Sequence, residues 1–230
     1  MSPSAAIDHL VVAARTLAEG VAWCEQTLGV TPGPGGAHAL FGTHNRLLRF
    51  DGAPQDPPAY LEIIAVDPAA TPTRTAPRKR WFDLDDAVLR QHLADHGPQL
   101  IHWVARVPDL EASLRAWAAL GLARGPAIAA SRPTPVGLLQ WRLSVRDDGQ
   151  RLLDGCLPTL IEWGDTHPAR GMAASGLRLD RLALQHPQHE RLAQALAAIG
   201  LNGVAVTAGA PRLTATLDTP NGPRALHSYG

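Results

Sequence analysis

One pattern occurs three times in the 230-residue chain, and it constrains the fold more than any single motif does. Ile7-Asp8-His9-Leu10-Val11-Val12 is followed by Leu17, Val21, Trp23 and Leu28-Gly29-Val30. Leu100-Ile101-His102-Trp103-Val104-Ala105 is followed by Leu110, Leu114, Trp117 and Leu120-Gly121-Leu122, and Leu179 to Leu184 by Leu192, Leu196 and Ile199-Gly200-Leu201. Each copy reads as an apolar strand, then a helix of i, i+3, i+4 periodicity, then a glycine suited to a left-handed cap. The glycine falls 20, 19 and 19 residues after positions 9, 102 and 181.

Each helix is followed by short alternating runs separated by turn residues. After Gly29 come a strand around His38–Phe41, then Asn45–Phe50, a Pro-rich turn and Tyr60–Val66. After Gly121 come Ile128, Leu138–Val145, the turn Asp147-Asp148-Gly149, and Thr159–Trp163. After Gly200 come Val204–Val206, Leu213–Leu217, the turn Asn221-Gly222, and Arg224–His227. The unit is βαβββ with hairpin turns between its last strands. The expected fold is α+β: curled mixed sheets built from two paired modules (residues 1–67 and 99–170) and a third, partial or degenerate copy (176–230). A linker with a short helix, expected at Asp83–His96, fills 68–98.

Composition removes several function classes. Acidic and basic residues number 21 each, so nothing supplies the basic surplus of a general nucleic-acid binder. No run approaches 18 apolar residues, which argues against a membrane-spanning helix, and Met1 to Ala6 lacks the basic and apolar segments of a signal peptide. The expected location is the cytoplasm. Cys24 and Cys156 cannot form a disulfide framework, and Cys24 reads as a buried thiol on the first helix. No phosphate loop, serine-nucleophile elbow or dinucleotide fingerprint is present. Arg78-Lys79-Arg80 before Trp81-Phe82 reads as the solvated end of the linker.

Four polar residues interrupt these apolar strands: His9, Glu62, His102 and Glu162. If their strand face packed on a helix, two carboxylates would enter a core, at several kcal/mol for each unpaired ion. If it lined a cavity, a divalent cation would satisfy them. The separations, 53 residues for His9 to Glu62 and 60 for His102 to Glu162, suggest equivalent His/Glu pairs converging from two modules. Two imidazoles with two carboxylates suit Zn, Ni, Mn or Fe, and two imidazoles with one carboxylate make the facial triad of Fe(II) oxygenases. The alternative is a pair of ordinary His–Glu contacts without metal. The third copy carries Arg181 and His227 at the corresponding places and so lacks the set.

Other candidates are substrate contacts. His44 follows Gly42-Thr43 and reads as a ligand, a substrate contact or a turn cap, beside Asn45; His38 has a weaker claim. In Leu138–Val145 the apolar set Leu139, Trp141, Leu143 and Val145 should face the helix, leaving Gln140 and Arg142 toward the concave side. Arg142 there either binds an anion or neutralises Glu162. Ser131-Arg132 sits on a Pro-rich loop, at the mouth of the cup or simply on the surface. Trp103 and Trp163 should pack beneath the helices, opposite His102 and Glu162.

The repeated βαβββ unit, with Gly42-Thr43-His44-Asn45-Arg46-Leu47-Leu48, Tyr60-Leu61-Glu62-Ile63-Ile64 and Leu160-Ile161-Glu162-Trp163, resembles the vicinal oxygen chelate superfamily, in particular its glyoxalase-like branch. The resemblance implies a cup between paired modules, with metal ligands on their first and last strands, hence His9, Glu62, His102 and Glu162. It implies a divalent transition metal acting on two neighbouring substrate oxygens, and Glu62 or Glu162 as the base of a lyase or isomerase working on an α-hydroxycarbonyl or similar molecule. A metal-free small-molecule binding protein and an Fe(II) extradiol-type dioxygenase are the alternatives. The implied partner is a small molecule, with a homodimer possible and neither nucleic acid nor membrane involved.

Overall fold

The computed structural model describes residues 5–53, 56–134 and 137–229. The opening Met1 to Ser4, and Pro54 and Gln55 of the Pro-rich turn, lie outside the described residues. In the first module, strand β1 (Ala6–Ala13) leads into helix α1 (Leu17–Leu28) and strands β2 (Gly33–His38), β3 (Thr43–Arg49) and β4 (Tyr60–Val66). Helix α2 (Ala87–His96) precedes the second module, which comprises β5 (Gln99–Arg106), α3 (Leu110–Ala119), β6 (Ala127–Thr134), β7 (Gly137–Ser144) and β8 (Thr159–Trp163). The third contains β9 (Arg178–Gln185), α4 (His189–Ala198), β10 (Ala205–Thr207), β11 (Arg212–Asp218) and β12 (Arg224–His227). The α+β class and the βαβββ order expected from the repeat are present.

Local chemistry accounts for the helix limits. Thr16 accepts from the Glu19 amide, Asp86 from Val88 and Leu89, and Asp109 from Ala112, each satisfying an otherwise free first-turn donor. The glycines that close the repeated helices, Gly29, Gly121 and Gly200, have φ of 75°, 70° and 70°, the left-handed conformation that a β-carbon disfavours. α2 starts later than the sequence suggested because Phe82 and Asp83 themselves have positive φ (57° and 59°) and Asp86 caps the helix.

The first two modules form one eight-stranded sheet in the order β2-β3-β4-β1-β5-β8-β7-β6. β1 and β5 pair antiparallel at the seam, while β1 with β4 and β5 with β8 are parallel. One sheet face carries Leu10, Val12, Leu61, Ile63, Trp103, Ala105 and Leu160 into a core with Leu28, Leu110 and Trp117 of the helices. The other carries Val11, Ala13, Ile64, Val104, Leu143 and Ile161 against Phe41, Trp81 and Phe82. Both faces of the central strands are covered, which explains why β1 and β5 read as continuous apolar runs.

The third unit repeats the order of elements but not of strands. Its separate four-stranded sheet runs β10-β9-β11-β12, with the first strand in the interior rather than at the edge of its own set. Leu182, Leu184, Leu213, Ala215 and Leu217 join the helix-side core. The unit therefore backs the helices and takes no part in the cup.

Candidate active site

The cup is lined from both modules. The first supplies His9, His38, Asn45, Leu47, Tyr60 and Glu62; the second supplies Val104, Arg132, Leu139, Trp141, Leu143, Thr159, Ile161 and Trp163; Trp81 and Phe82 of the linker close it. The cavity is about 40 Å³, room for about three waters at 10–15 Å³ each. A larger hollow of about 320 Å³ lies beside α2. Its main cations are spent in ion pairs, Arg80 with Asp85 at 2.7 Å and Arg151 with Asp83 at 2.8 Å. Three buried polar atoms without a hydrogen-bond partner, Glu62 Oε2, Trp81 Nε1 and Arg132 Nη1, belong to residues of the smaller cavity.

His9 is placed by an irregularity. The β1–β5 register shifts between Ile7 and His9, so Asp8 is an extra residue opposite β5 and the strict alternation of faces breaks there. Asp8, fully buried, accepts from His9 Nδ1 at 2.6 Å, from Trp163 Nε1 at 2.8 Å and from His167 Nε2 at 3.0 Å. Burial pushes the Asp8 carboxyl up, but the hydrogen bonds and charges of His167 and His9 outweigh it and hold the group well below the ordinary range. An ionised Asp8 fixes the proton on His9 Nδ1 and leaves Nε2 to face the cup. Tyr60 stacks on the imidazole with ring centres 4.5 Å apart.

His9 Nε2 lies 3.6 Å from Glu62 Oε2, and that oxygen is buried without a hydrogen-bond partner. The other oxygen, Oε1, accepts from Asn45 Nδ2 at 2.6 Å. The amide is oriented in turn: Gly36 N–H donates to Asn45 Oδ1 at 2.8 Å, while Asn45 Nδ2 is also 3.3 Å from His38 Nε2. His38 Nδ1 lies 3.0 Å from Thr43 Oγ1. Burial, then the charge of Arg132, pushes the His38 pKa down to about 3, so its ring is neutral and accepts from Asn45. One Glu62 oxygen is therefore held and the other is free, at a cost of about 1–3 kcal/mol for the unpaired buried acceptor.

The second module carries no equivalent. His102 is fully buried, with Nδ1 3.0 Å from Gly155 O, while Nε2 receives the Thr159 amide at 3.1 Å and faces Arg124 Nη2 at 3.2 Å. The amide donor makes Nε2 an acceptor and puts the ring proton on Nδ1. Burial, then the charges of Arg124 and Arg151, hold this histidine well below its ordinary pKa. Phe82 packs beside it, ring centres 5.2 Å apart.

Register explains why Glu162 is elsewhere. Val11, two residues after His9, pairs with Glu62; Val104, two residues after His102, pairs with Thr159. The position equivalent to Glu62 is thus Thr159, and Glu162 lies on the opposite face. Its Oε2 accepts the first amide of α3, Leu110 N, at 2.7 Å, and Oε1 is 3.6 Å from Arg142 Nη1. The expected convergence of His9, Glu62, His102 and Glu162 is corrected by this geometry. Only His9 and Glu62 meet. Among the described residues no three His, Cys, Asp or Glu side chains are grouped as a metal centre would need. With both His102 nitrogens engaged and Glu162 spent on a helix end, the donor set does not fit the four-ligand cation site that the resemblance implied.

The β7 parity is reversed in the same way. Leu139, Trp141, Leu143 and Trp163 line the cup, whereas Gln140 is exposed and Arg142 reaches Glu111 of α3. The apolar set faces inward because the cup itself is apolar on this side, and α3 presents a charged rim. Trp103 does lie beneath the helices, with Nε1 donating to Cys156 O at 2.9 Å. His44 points away from the cup, its Nδ1 3.9 Å from Asp67; its neighbour Asn45 points in. Arg132 is in strand β6, not a loop.

Asp8, His38, Tyr60, Trp81 and Arg132 complete the site. Asp8 was visible beside His9, but strict alternation assigns neighbours to opposite faces and only the bulge reconciles them. Arg132 Nη1 and Trp81 Nε1 are both buried without hydrogen-bond partners. Gly36 on β2, one sheet edge, leaves the space that Arg132 of β6, the other edge, fills: a β-carbon on Gly36 would lie 1.9 Å from Nη1. The eight-stranded sheet has curled until its two edges meet across this arginine.

A solved structure shares this architecture. The fold is similar to a hypothetical protein from Staphylococcus aureus, with 12% identity and a TM-score of 0.57 over 91% of this chain and 88% of that one. A Streptomyces coelicolor methylmalonyl-CoA epimerase in complex with 2-nitronate-propionyl-CoA is 18% identical over 70% of this chain and 96% of its own, with a TM-score of 0.42. No curated protein matches. The family described as "Glyoxalase-like domain" matches residues 7–200, and the chain belongs to it.

Proposed function

We propose that the cup is an enzyme active site that moves a proton at a carbon next to a carbonyl, making the protein an isomerase or lyase of small oxygen-rich molecules. The observation that carries this is the Glu62–His9 pair: one free carboxylate oxygen, 3.6 Å from an imidazole nitrogen, both turned into a buried cavity. Asn45 holds the carboxylate and Asp8 holds the imidazole, so both groups keep their orientation while a proton moves.

The chemistry balances for an α-hydroxycarbonyl. Glu62 takes the proton from the hydroxyl-bearing carbon, the C–H electron pair forms the enediol double bond, and imidazolium His9 gives its Nε2 proton to the carbonyl oxygen. In the second half of the isomerisation Glu62 delivers the proton to the former carbonyl carbon and His9 recovers one from the other hydroxyl, which becomes the new carbonyl. The ionised Asp8 stabilises the imidazolium. No step runs through a metal ion, because His102 and Glu162 are engaged elsewhere and the fold does not gather a four-donor centre. The dioxygenase reading needs His102 as a ligand and has no support from its engaged nitrogens.

A second reading, a small-molecule binding protein, draws support from the apolar wall of Leu139, Trp141, Leu143, Ile161 and Trp163. One experiment separates the two. A panel of short α-hydroxycarbonyl compounds is incubated with the protein in D2O and followed by NMR. Deuterium entering at the carbon next to the carbonyl, with loss of at least about 100-fold in rate in Glu62→Gln, is the result expected of a base. Binding with no exchange by any compound would replace the enzyme with the binder.

A further inference from the structure

We propose that Arg132 is the anchor for a carboxylate group on the ligand, so that the cup selects small organic acids over their neutral counterparts. This deepens the reading above and rests on the same cavity, but its own support is separate. Arg132 Nη1 is buried and makes no hydrogen bond, and no ion pair of this guanidinium occurs within 4.0 Å among the described residues. Trp81 Nε1, a donor only, is likewise buried and unpartnered in the same cavity. Two donors with no acceptor within hydrogen-bond distance call for a ligand with negative oxygen atoms. The guanidinium recognises a carboxylate through a planar fork of N–H groups, and burial strengthens such a bond.

Two further features favour a small monoanion. The cavity of about 40 Å³ has no room for a bulky polyanion, and Glu62 presents a free negative oxygen that would repel a second charge. The placement of Arg132 is also built in. It lies across the gap between β6 and β2 only because residue 36 is glycine, whose hypothetical β-carbon would come within 1.9 Å of Nη1 and 3.0 Å of Cζ. Gly36 has no positive φ, so alanine fits its backbone and must displace the arginine tip instead.

The test uses lactate and its uncharged isostere lactamide as probes, with binding followed by tryptophan fluorescence and calorimetry at fixed chloride. Lactate is expected to bind at least tenfold tighter than lactamide. Arg132→Gln should erase that difference, and Gly36→Ala should reduce it while the arginine charge remains. Glu62→Gln should keep or tighten lactate binding. Thermal unfolding of each variant establishes that it is folded, and the glycine variant serves if Arg132→Gln is not. Equal affinity for lactate and lactamide in the unmodified protein, or a preference that survives both substitutions, overturns the proposal. Arg132-dependent binding without any proton exchange would sink the enzymatic reading and leave the carboxylate site standing.

Discussion

His9 and His102 occupy matching strands and have opposite fates, and the difference lies in what each nitrogen touches. His9 gives one nitrogen to a buried carboxylate and shows the other to a cavity. His102 spends both on Gly155 and Thr159 beside a buried arginine, Arg124, whose pKa burial lowers to about 10. His102→Ala should therefore destabilise the fold by about 2 kcal/mol or more, since it strands a buried amide and a buried cation; urea unfolding measures this. A pH dependence follows from the same burial. His38, with a pKa of about 3, and His102, also lowered, stay neutral in the fold while the unfolded chain protonates near 6.5. Below about pH 6.5 the unfolded state binds more protons, so stability should fall by about 1.4 kcal/mol per pH unit for each histidine, continuing toward pH 3 for His38. His38→Gln should lower that slope in urea titrations between pH 6.5 and 4, and a slope unchanged by the substitution would contradict the assignment. His9 and Glu62 were legible in sequence as polar breaks in apolar strands. That reading could not tell a cavity-facing histidine from a core histidine, because both interrupt the same kind of strand.

The repeat fixed the strand and helix types, yet the register within each element decided the site. Counting 53 residues from His102, the spacing of the first module, leads to Gly155, four residues short of the true equivalent, Thr159. The hairpin and the Leu153–Gly155 turn in the second module lengthen the path, so an acid three residues later looked equivalent. At its true position Glu162 caps the start of α3, accepting the Leu110 amide where a helix N-terminus attracts negative charge. Glu162→Ala should cost about 1 kcal/mol of stability in chemical unfolding and leave lactate binding unchanged. β7 misled for a related reason: alternation says that two faces differ, and only the packing of α3 and the cup says which is inside. The closing glycines were the most legible feature of all, since Gly29, Gly121 and Gly200 end their helices through their own backbone conformation.

At the scale of the whole molecule, two modules share one continuous sheet that curls until β2 and β6 approach across Arg132, and a third unit with a different strand order braces the helices. Trp81 and Phe82 of the linker stack against Phe41 and fill the centre of the cup, with successive ring centres 4.1 and 4.7 Å apart. This aromatic stack stands between the His9–Glu62 pair of the first module and the sealed histidine of the second. Among the described residues no helix is long and apolar enough to cross a membrane. A site resting on His9 and Glu62 alone should keep its activity after exhaustive dialysis against a chelator, and readdition of Zn, Ni, Mn or Fe should change it by less than about twofold; metal-dependent recovery of activity would require donors that the fold does not bring together. The most direct test compares the two acids in one assay, deuterium incorporation from D2O next to the carbonyl of a turned-over compound. Glu62→Gln should abolish incorporation, while Glu162→Gln should stay within about twofold of the unmodified protein. Equal loss in both variants, or full activity in Glu62→Gln, would contradict the assignment of Glu62 as the base.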